Sequence, residues 1–208
     1  RVLMGLERQG LVLSERQIRL LAYHEGGHTL VSAVLPHADP IHKATIVPRG
    51  RSMGATHQLP EGERYVYERD FMLDRLSVML GGRAAERVAL DTFTSGAEDD
   101  LRQATSLARK MVLEWGMSER LGPMVSGQRP HQVFLGEELS QGREYSEETA
   151  RILDEEVQAL LKQSYDRAIE VLEGNREVLD RIAQVLMEEE RISGQRVEEM
   201  LAEVGSTR

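Results

Sequence analysis

The sequence predicts a mainly α fold, with one small β-hairpin or sheet and a C-terminal helical bundle, on three observations. Apolar residues recur at helical spacing through most of the 208 residues. Serines and glycines stand where helices are expected to begin and end. Strand-like runs are confined to residues 42 to 60. Hydrophobic residues make up 40% of the chain and aromatic ones only 4%, so aliphatic side chains must pack the core.

Residues 1 to 13 are short and mixed and read as a lead-in. Ser14, followed by Glu15 and Gln17, offers an N-cap and a first-turn acid. Ile18, Leu21, Ala22, Val31 and Leu35 then recur as in an amphipathic helix until Pro36 stops the run. Two strand-like runs, Ala44 to Val47 and Gly54 to Leu59, flank a turn region from Pro48 to Ser52 and predict the hairpin. From Asp70 the pattern is helical again and carries a second glycine pair, Gly81 and Gly82. Ser95 with Glu98 three residues on has the form of a capping box for the next helix, and Gly116 stands where that helix should stop. Residues 116 to 145 read as loop. Ser146 opens a long helix with Leu153, Val157, Leu160, Leu161, Ala168 and Leu172 on one side. Glu173, Gly174 and Asn175 break it, a further helix runs to about Arg191, and Ser193 caps a short last one. The expected organisation is a lead-in over 1–13, a core over 14–145 and a C-terminal helical subdomain over 146–208 packed on that core.

A net charge of −9 argues against nucleic acid as a partner, because phosphate binding needs clustered Lys and Arg. The absence of cysteine excludes disulfides and thiolate metal sites. No apolar run approaches the roughly 20 residues of a membrane helix.

Chemistry concentrates in the first helix, where His24, Glu25, Gly26, Gly27 and His28 are consecutive. Two glycines inside a helix cost about 1 kcal/mol each relative to alanine, so some other gain is expected there. Histidines four apart project from one face of a helix, one turn from each other. Both ring nitrogens can then reach one tetrahedral zinc at about 2.0–2.1 Å. Glu25 is turned a quarter of the way round the helix, away from the metal but within reach of a water beside it. This H-E-x-x-H pattern is that of a zinc metalloprotease, with two ligands and a general base. A catalytic zinc needs a third protein ligand and an open position. His37, His42, His57, His131 and several acids are candidates, among them Glu98, Asp99 and Asp100 at a helix start whose dipole favours the ionised carboxylate. Spacing alone does not choose among them.

The runs "AYHEGGH", "HKATIVPRG", "MLGGRAAERV", "TSGAEDDLRQATSLARKMVLEWGMSERLGP" and "YSEETARILDEEV" resemble, in order and along essentially the whole chain, the peptidase domain of the FtsH family. That family comprises ATP-dependent, membrane-anchored zinc metalloproteases. The resemblance implies a helical zinc metallopeptidase domain with one Zn2+ per chain, His24 and His28 as ligands and Glu25 as general base. It also selects Asp100 as the third ligand, because the last acid of the family's T-G-A-x-(N/D)-D stretch falls there. It further implies unfolded or membrane proteins as substrates, a homo-hexameric ring, and a parent anchored in a membrane. The expected location is the cytoplasmic side of a bacterial inner membrane, or an organellar membrane. ATP would be used only by an ATPase domain absent from this sequence, which has no phosphate-binding G-x-x-x-x-G-K-[S/T] loop. Membrane contact would likewise come only through N-terminal segments missing from it.

Gly26 departs from the family's H-E-A-G-H. A rival reading makes the chain a ring-assembly module, with residues 146–208 driving association and the metal site idle or structural. Glu86 has two readings, as a group that orients a histidine or as an ordinary solvated or salt-bridged glutamate. The hairpin also has two, as an edge for an extended substrate backbone or as a purely structural element.

Overall fold

The computed structural model describes residues 13–47, 54–58, 65–124 and 146–206. Nearly all of the expected lead-in, the Pro48–Ser52 turn, most of the 116–145 loop and His131 lie outside the described residues. The described residues form α1 (Glu15–Val34), β1 (Ile41–Thr45), β2 (Ala55–Gln58), α2 (Arg69–Leu90), α3 (Glu98–Leu113), α4 (Glu147–Gly174), α5 (Arg176–Glu189), β3 (Arg191–Ser193) and α6 (Gly194–Ser206). The mainly α class with one small sheet is therefore the observed one.

Ser14 starts α1 with a reciprocal capping box. Its hydroxyl accepts from the Gln17 backbone N–H at 3.4 Å, and the Gln17 side-chain oxygen accepts from the Ser14 N–H at 2.9 Å. The helix is not amphipathic along its middle, however: every residue from Ala22 to Ser32 is buried. α1 is the central helix, packed against α2 and α5 and also touching the sheet.

The three strands are antiparallel in the order β2-β1-β3, with Ala44 opposite Thr56 on one side and Ile192 on the other. β1 begins three residues before the expected run, and β3 was not expected at all. A three-residue strand offers no alternation to read. Glu190 ends α5 in the left-handed region (φ 60°), and its carbonyl accepts from the Ile46 N–H and the Thr45 hydroxyl, which aligns β3 beside β1.

The capping box expected at Ser95 is replaced by a different arrangement. Ser95–Ala97 form a 3₁₀ turn capped by the Thr94 hydroxyl, which accepts from Gly96 N–H, and α3 follows from Glu98 with no side-chain cap of its own. Past the end of α3, Gly116 takes φ 60°, and the Met117 N–H returns to the Met111 carbonyl at 2.9 Å. Ser146 caps α4 through the Thr149 N–H as expected, and Ser193 accepts from Arg196 N–H at the start of α6.

Two apolar clusters hold the helices together. One gathers Leu30, Val31, Ala44, Leu172, Leu179, Ile182, Leu186 and Val197 from α1, β1, α4, α5 and α6. The other gathers Leu76, Leu80, Ala104, Ala108, Met111, Leu153, Val157 and Leu160 from α2, α3 and α4. α4 contributes to both because Leu153, Val157, Leu160, Ser164, Ala168 and Leu172 form one buried stripe along its length.

The two α1 glycines have different surroundings. A Cβ on Gly27 would overlap the backbone carbonyl of Gly81 on α2, so here the two helices meet backbone to backbone. A Cβ on Gly26 would rest 3.4 Å from Ile182 Cγ2 and 3.5 Å from Leu179 Cδ1, ordinary contact distances. Gly26→Ala is therefore expected to raise unfolding stability by about 0.5–1 kcal/mol, through a stiffer helix and the added contact. Gly27→Ala should lower it by about 1–3 kcal/mol or more. Urea denaturation of both variants checks the opposite signs.

Candidate metal centre

His24 and His28 lie one turn apart on α1, each less than a tenth exposed. Their rings meet edge to face with centroids 4.8 Å apart. The Nε2 atoms are 3.1 Å from each other, and Asp100 Oδ2 lies 3.1 Å from His24 Nε2 and 3.5 Å from His28 Nε2. Among the described residues this trio is the one group of three or more ligand-type side chains close enough to hold a metal ion together.

The other nitrogen of each ring has its own partner. His28 Nδ1 donates to the Val78 carbonyl at 2.7 Å. A carbonyl only accepts, so this proton assignment is forced. His24 Nδ1 lies 2.8 Å from Glu86 Oε1 and donates to that carboxylate. When neutral, as a metal ligand must be, each ring turns a bare Nε2 lone pair toward Asp100. Three lone-pair oxygens and nitrogens converging without a proton or cation between them would repel. Their separations match the roughly 3.3 Å edge of a tetrahedron with bonds of about 2.0–2.1 Å, which suits Zn2+. Gly82 keeps the space beside them clear: a Cβ there would come within 2.6 Å of both Nε2 atoms.

Glu86 is 1% exposed, which rules out a solvated surface role. Besides His24 it accepts from the Thr94 N–H at 2.8 Å and the Thr94 hydroxyl at 2.9 Å. It thus fixes one histidine and also anchors the turn that delivers α3 and Asp100. Burial works against its charge, but the donors from His24 and Thr94 win and hold its pKa below the usual value. Asp100 behaves likewise: with no metal between them, its contacts with the His24 and His28 rings outweigh burial and hold its carboxyl well below the usual carboxylate range.

The other candidates for third ligand among the described residues go elsewhere. Glu98 and Asp99 both pair with the exposed Arg102, at 2.6 and 2.7 Å. His57 adjoins Thr56 on β2, and successive strand side chains leave opposite faces, so His57 points away from the α1 side to which Thr56 turns. His42 is exposed on β1, and His37 borders a shallow cavity of about 390 Å³ beyond the end of α1. Asp100 has 26% of its side chain exposed against 10% and 11% for the histidines, so the open side of the trio lies at the aspartate.

Glu25 is turned away from the trio and is buried against β2. It accepts from the Thr56 hydroxyl at 2.9 Å, and Gly54 abuts its carboxylate, where a Cβ would lie 2.5 Å from Oε1.

The sequence model of peptidase family M41 matches residues 11–200. The chain belongs to that family. It is 51% identical to an ATP-dependent zinc metalloprotease, FtsH 2 of Salinibacter ruber, over 95% of this chain and 29% of that protein. FtsH 3 of Symbiobacterium thermophilum, described in the same words, is 45% identical over 96% of this chain and 32% of its own length. FtsH of Syntrophotalea carbinolica is 46% identical over 99% and 32% respectively. The chain thus spans about a third of the length of these curated relatives.

In this M41 chain a proton competes with a metal for His24 Nε2. Burial opposes a charge on that ring, but hydrogen bonds to Asp100 and then Glu86 overcome it and raise His24 to about 10. The metal-free ring therefore holds its proton at pH 7, and Zn2+ binding should release about one proton from it, with affinity falling as pH falls. Calorimetry in buffers of different ionisation heat measures that release. A second expectation follows from the arrangement of the three acids. Asp100→Ala should weaken Zn2+ binding about 100-fold or more, because even partners one step removed from a metal are worth 10- to 100-fold. Asp99→Ala should leave it within about twofold, as a surface ion pair is worth little. Competition with a chromogenic chelator ranks the two.

Proposed function

We propose that this chain is the zinc-dependent endopeptidase module of an FtsH-like ATP-dependent protease, with His24, His28 and Asp100 holding one Zn2+ and Glu25 as general base. The observation that carries this reading is the commitment of both Nδ1 atoms to acceptors, which leaves two Nε2 lone pairs and one carboxylate facing a common point. Membership of a peptidase family and relatives described as zinc metalloproteases support it.

Zn2+ in such a site supplies Lewis acidity, which polarises a peptide carbonyl and acidifies water. Glu25 takes a proton from the attacking water and hands it to the amine nitrogen as the C–N bond breaks. Burial pushes the Glu25 carboxyl above its usual value, against the opposing pull of His28 and His24, which makes it a stronger base. His24 keeps its Nδ1 proton on Glu86 throughout, and that contact holds the ring's orientation. Among the described residues β2 stands at the edge of the sheet, and its side away from β1 is where an extended, unfolded substrate would pair. Such pairing ignores side chains and suits a broad range of unfolded or membrane proteins.

An idle or purely structural metal gives Glu25 no task. Structural zinc is enclosed by four protein ligands, whereas three donors with a buried carboxylate alongside leave a position for chemistry. On the enzymatic reading, residues 14–145 form the peptidase core, residues 146–208 the helical subdomain on it, and six copies form a ring. ATP hydrolysis and membrane anchoring, on the cytoplasmic side of a bacterial inner membrane or in an organelle, are assigned to other segments of the parent. No helix among the described residues is long and apolar enough to cross a membrane.

Metal analysis is expected to return about one Zn2+ per chain, and cleavage of casein should stop on chelation. Glu25→Gln should keep the metal and lose cleavage by about 10²- to 10⁴-fold. If that variant cuts at the normal rate, the assigned mechanism is wrong.

A further inference from the structure

Strand β2 meets α1 through every second residue. Gly54, just before the strand, abuts the Glu25 carboxylate. Thr56 reaches Glu25 and Thr29, and the Gln58 amide donates to the Ser32 hydroxyl at 2.6 Å and to the Asp39 carbonyl at 3.2 Å. Positions 54, 56 and 58 thus read α1 at 25, 29 and 32, the period of a strand laid against one stripe of a helix.

The hydrogens available in this contact assign their own partners. Each threonine hydroxyl has one proton to give. Thr29 gives its proton to the Glu25 backbone carbonyl at 2.7 Å. The Thr56 hydroxyl lies 2.9 Å from Glu25 Oε2 but 3.4 Å from the Glu25 carbonyl, so its proton goes to the carboxylate. A hydrogen bond to an ionised acceptor is the stronger choice as well as the shorter one. On its other side the same carboxylate is bounded by Gly54, where any larger residue would displace Oε1.

We propose that Thr56 is the positioning residue for Glu25: the hydroxyl presented by edge strand β2, with Gly54 leaving the space, fixes where the carboxylate sits. This rests on Glu25 acting as the general base. The base is thereby attached to the strand that an extended substrate would pair with, and not only to the helix that bears the metal ligands. Docking a substrate along β2 and placing its scissile carbonyl relative to the base become one geometric event.

The test uses the zinc-loaded chain with a fluorogenic peptide, reading kcat, KM, zinc content and melting temperature. Thr56→Val keeps the shape and β preference of the side chain and removes only the donor. It is expected to lower kcat about tenfold or more with KM within about twofold and zinc content unchanged, since a misplaced catalytic group costs turnover. Thr56→Ser restores the donor and should recover most of kcat. Gly54→Ala should lower kcat in the same way without loss of zinc. Wild-type kcat in Thr56→Val overturns the proposal. So does a loss that Thr56→Ser fails to rescue and that tracks falling melting temperature or zinc content, because that is the signature of a structural threonine. Glu25→Gln, run alongside, separates the two levels: if it stays active, the general-base reading itself fails. If it is inactive while Thr56→Val is normal, only the role of Thr56 does.

Discussion

The metal centre depends on how closely α2 lies against α1. With Gly27 facing Gly81, the two helices touch backbone to backbone, and a methyl on Gly27 would force them apart. That separation sets three distances at once. It brings the Val78 carbonyl within 2.7 Å of His28, brings Glu86 within 2.8 Å of His24, and lays Gly82 beside both Nε2 atoms without obstructing them. A shift of even half an ångström would stretch both second contacts of the histidines toward the limit of useful hydrogen bonding. The glycine pairs in α1 and α2 are helix-weakening residues, and at Gly27 and Gly81 the close crossing accounts for them.

Packing alone would not hold this arrangement, because it buries two imidazoles and two carboxylates, with a third carboxylate partly covered, in a small volume. Burial penalises every charge there. The penalty is overcome where the structure supplies favourable partners: donors from Thr94 and His24 for Glu86, and the two adjacent imidazoles for Asp100. Glu25 is the exception. Among the described residues its side-chain donor is Thr56, and burial prevails, leaving its carboxyl raised. Carboxylates gathered around the same two histidines are thus driven in opposite directions, two toward holding charge and one toward exchanging a proton. This division is the one that the proposed roles of ligand, orienter and base would require.

Some of this was legible before any coordinates. The spacing of His24 and His28 follows from helical geometry and the Ser14 cap from hydrogen-bonding capacity, and both are local. Asp100 was only one acid among several until the first-turn geometry of α3 turned Glu98 and Asp99 to Arg102 and left Asp100 facing inward. No spacing rule contains that inward position. The Ser95 cap misled because Thr94, one residue earlier, competes for the same turn and is also held by Glu86 from a different helix. α1 reads as amphipathic because Thr29, Ser32 and Glu25 are polar, yet they are buried against a strand that satisfies them. β3 was illegible because it is stabilised by β1 and by the Glu190 carbonyl, both outside its own three residues.

Helical rotation explains why five consecutive residues of α1 differ so much in kind. Each successive residue turns by about 100°. His24 and His28, nearly eclipsed, face the cleft between α2 and α3. Glu25 turns to β2, and Thr29 and Ser32 return to that same direction. Gly26 turns on to α5, meeting Ile182 and Leu179, and Gly27 comes back to α2 at Gly81 and Ala85. Each direction imposes a separate requirement: two imidazoles facing Asp100, a carboxylate against Thr56, a filler against α5 and a close backbone against α2. Only the α5 direction is permissive, since a methyl fits there at ordinary contact distance. The alanine of the related motif and the glycine of this chain are therefore both compatible with the same geometry. The choice between them affects helix stability and α5 packing, while His24, His28 and Glu25 face other neighbours.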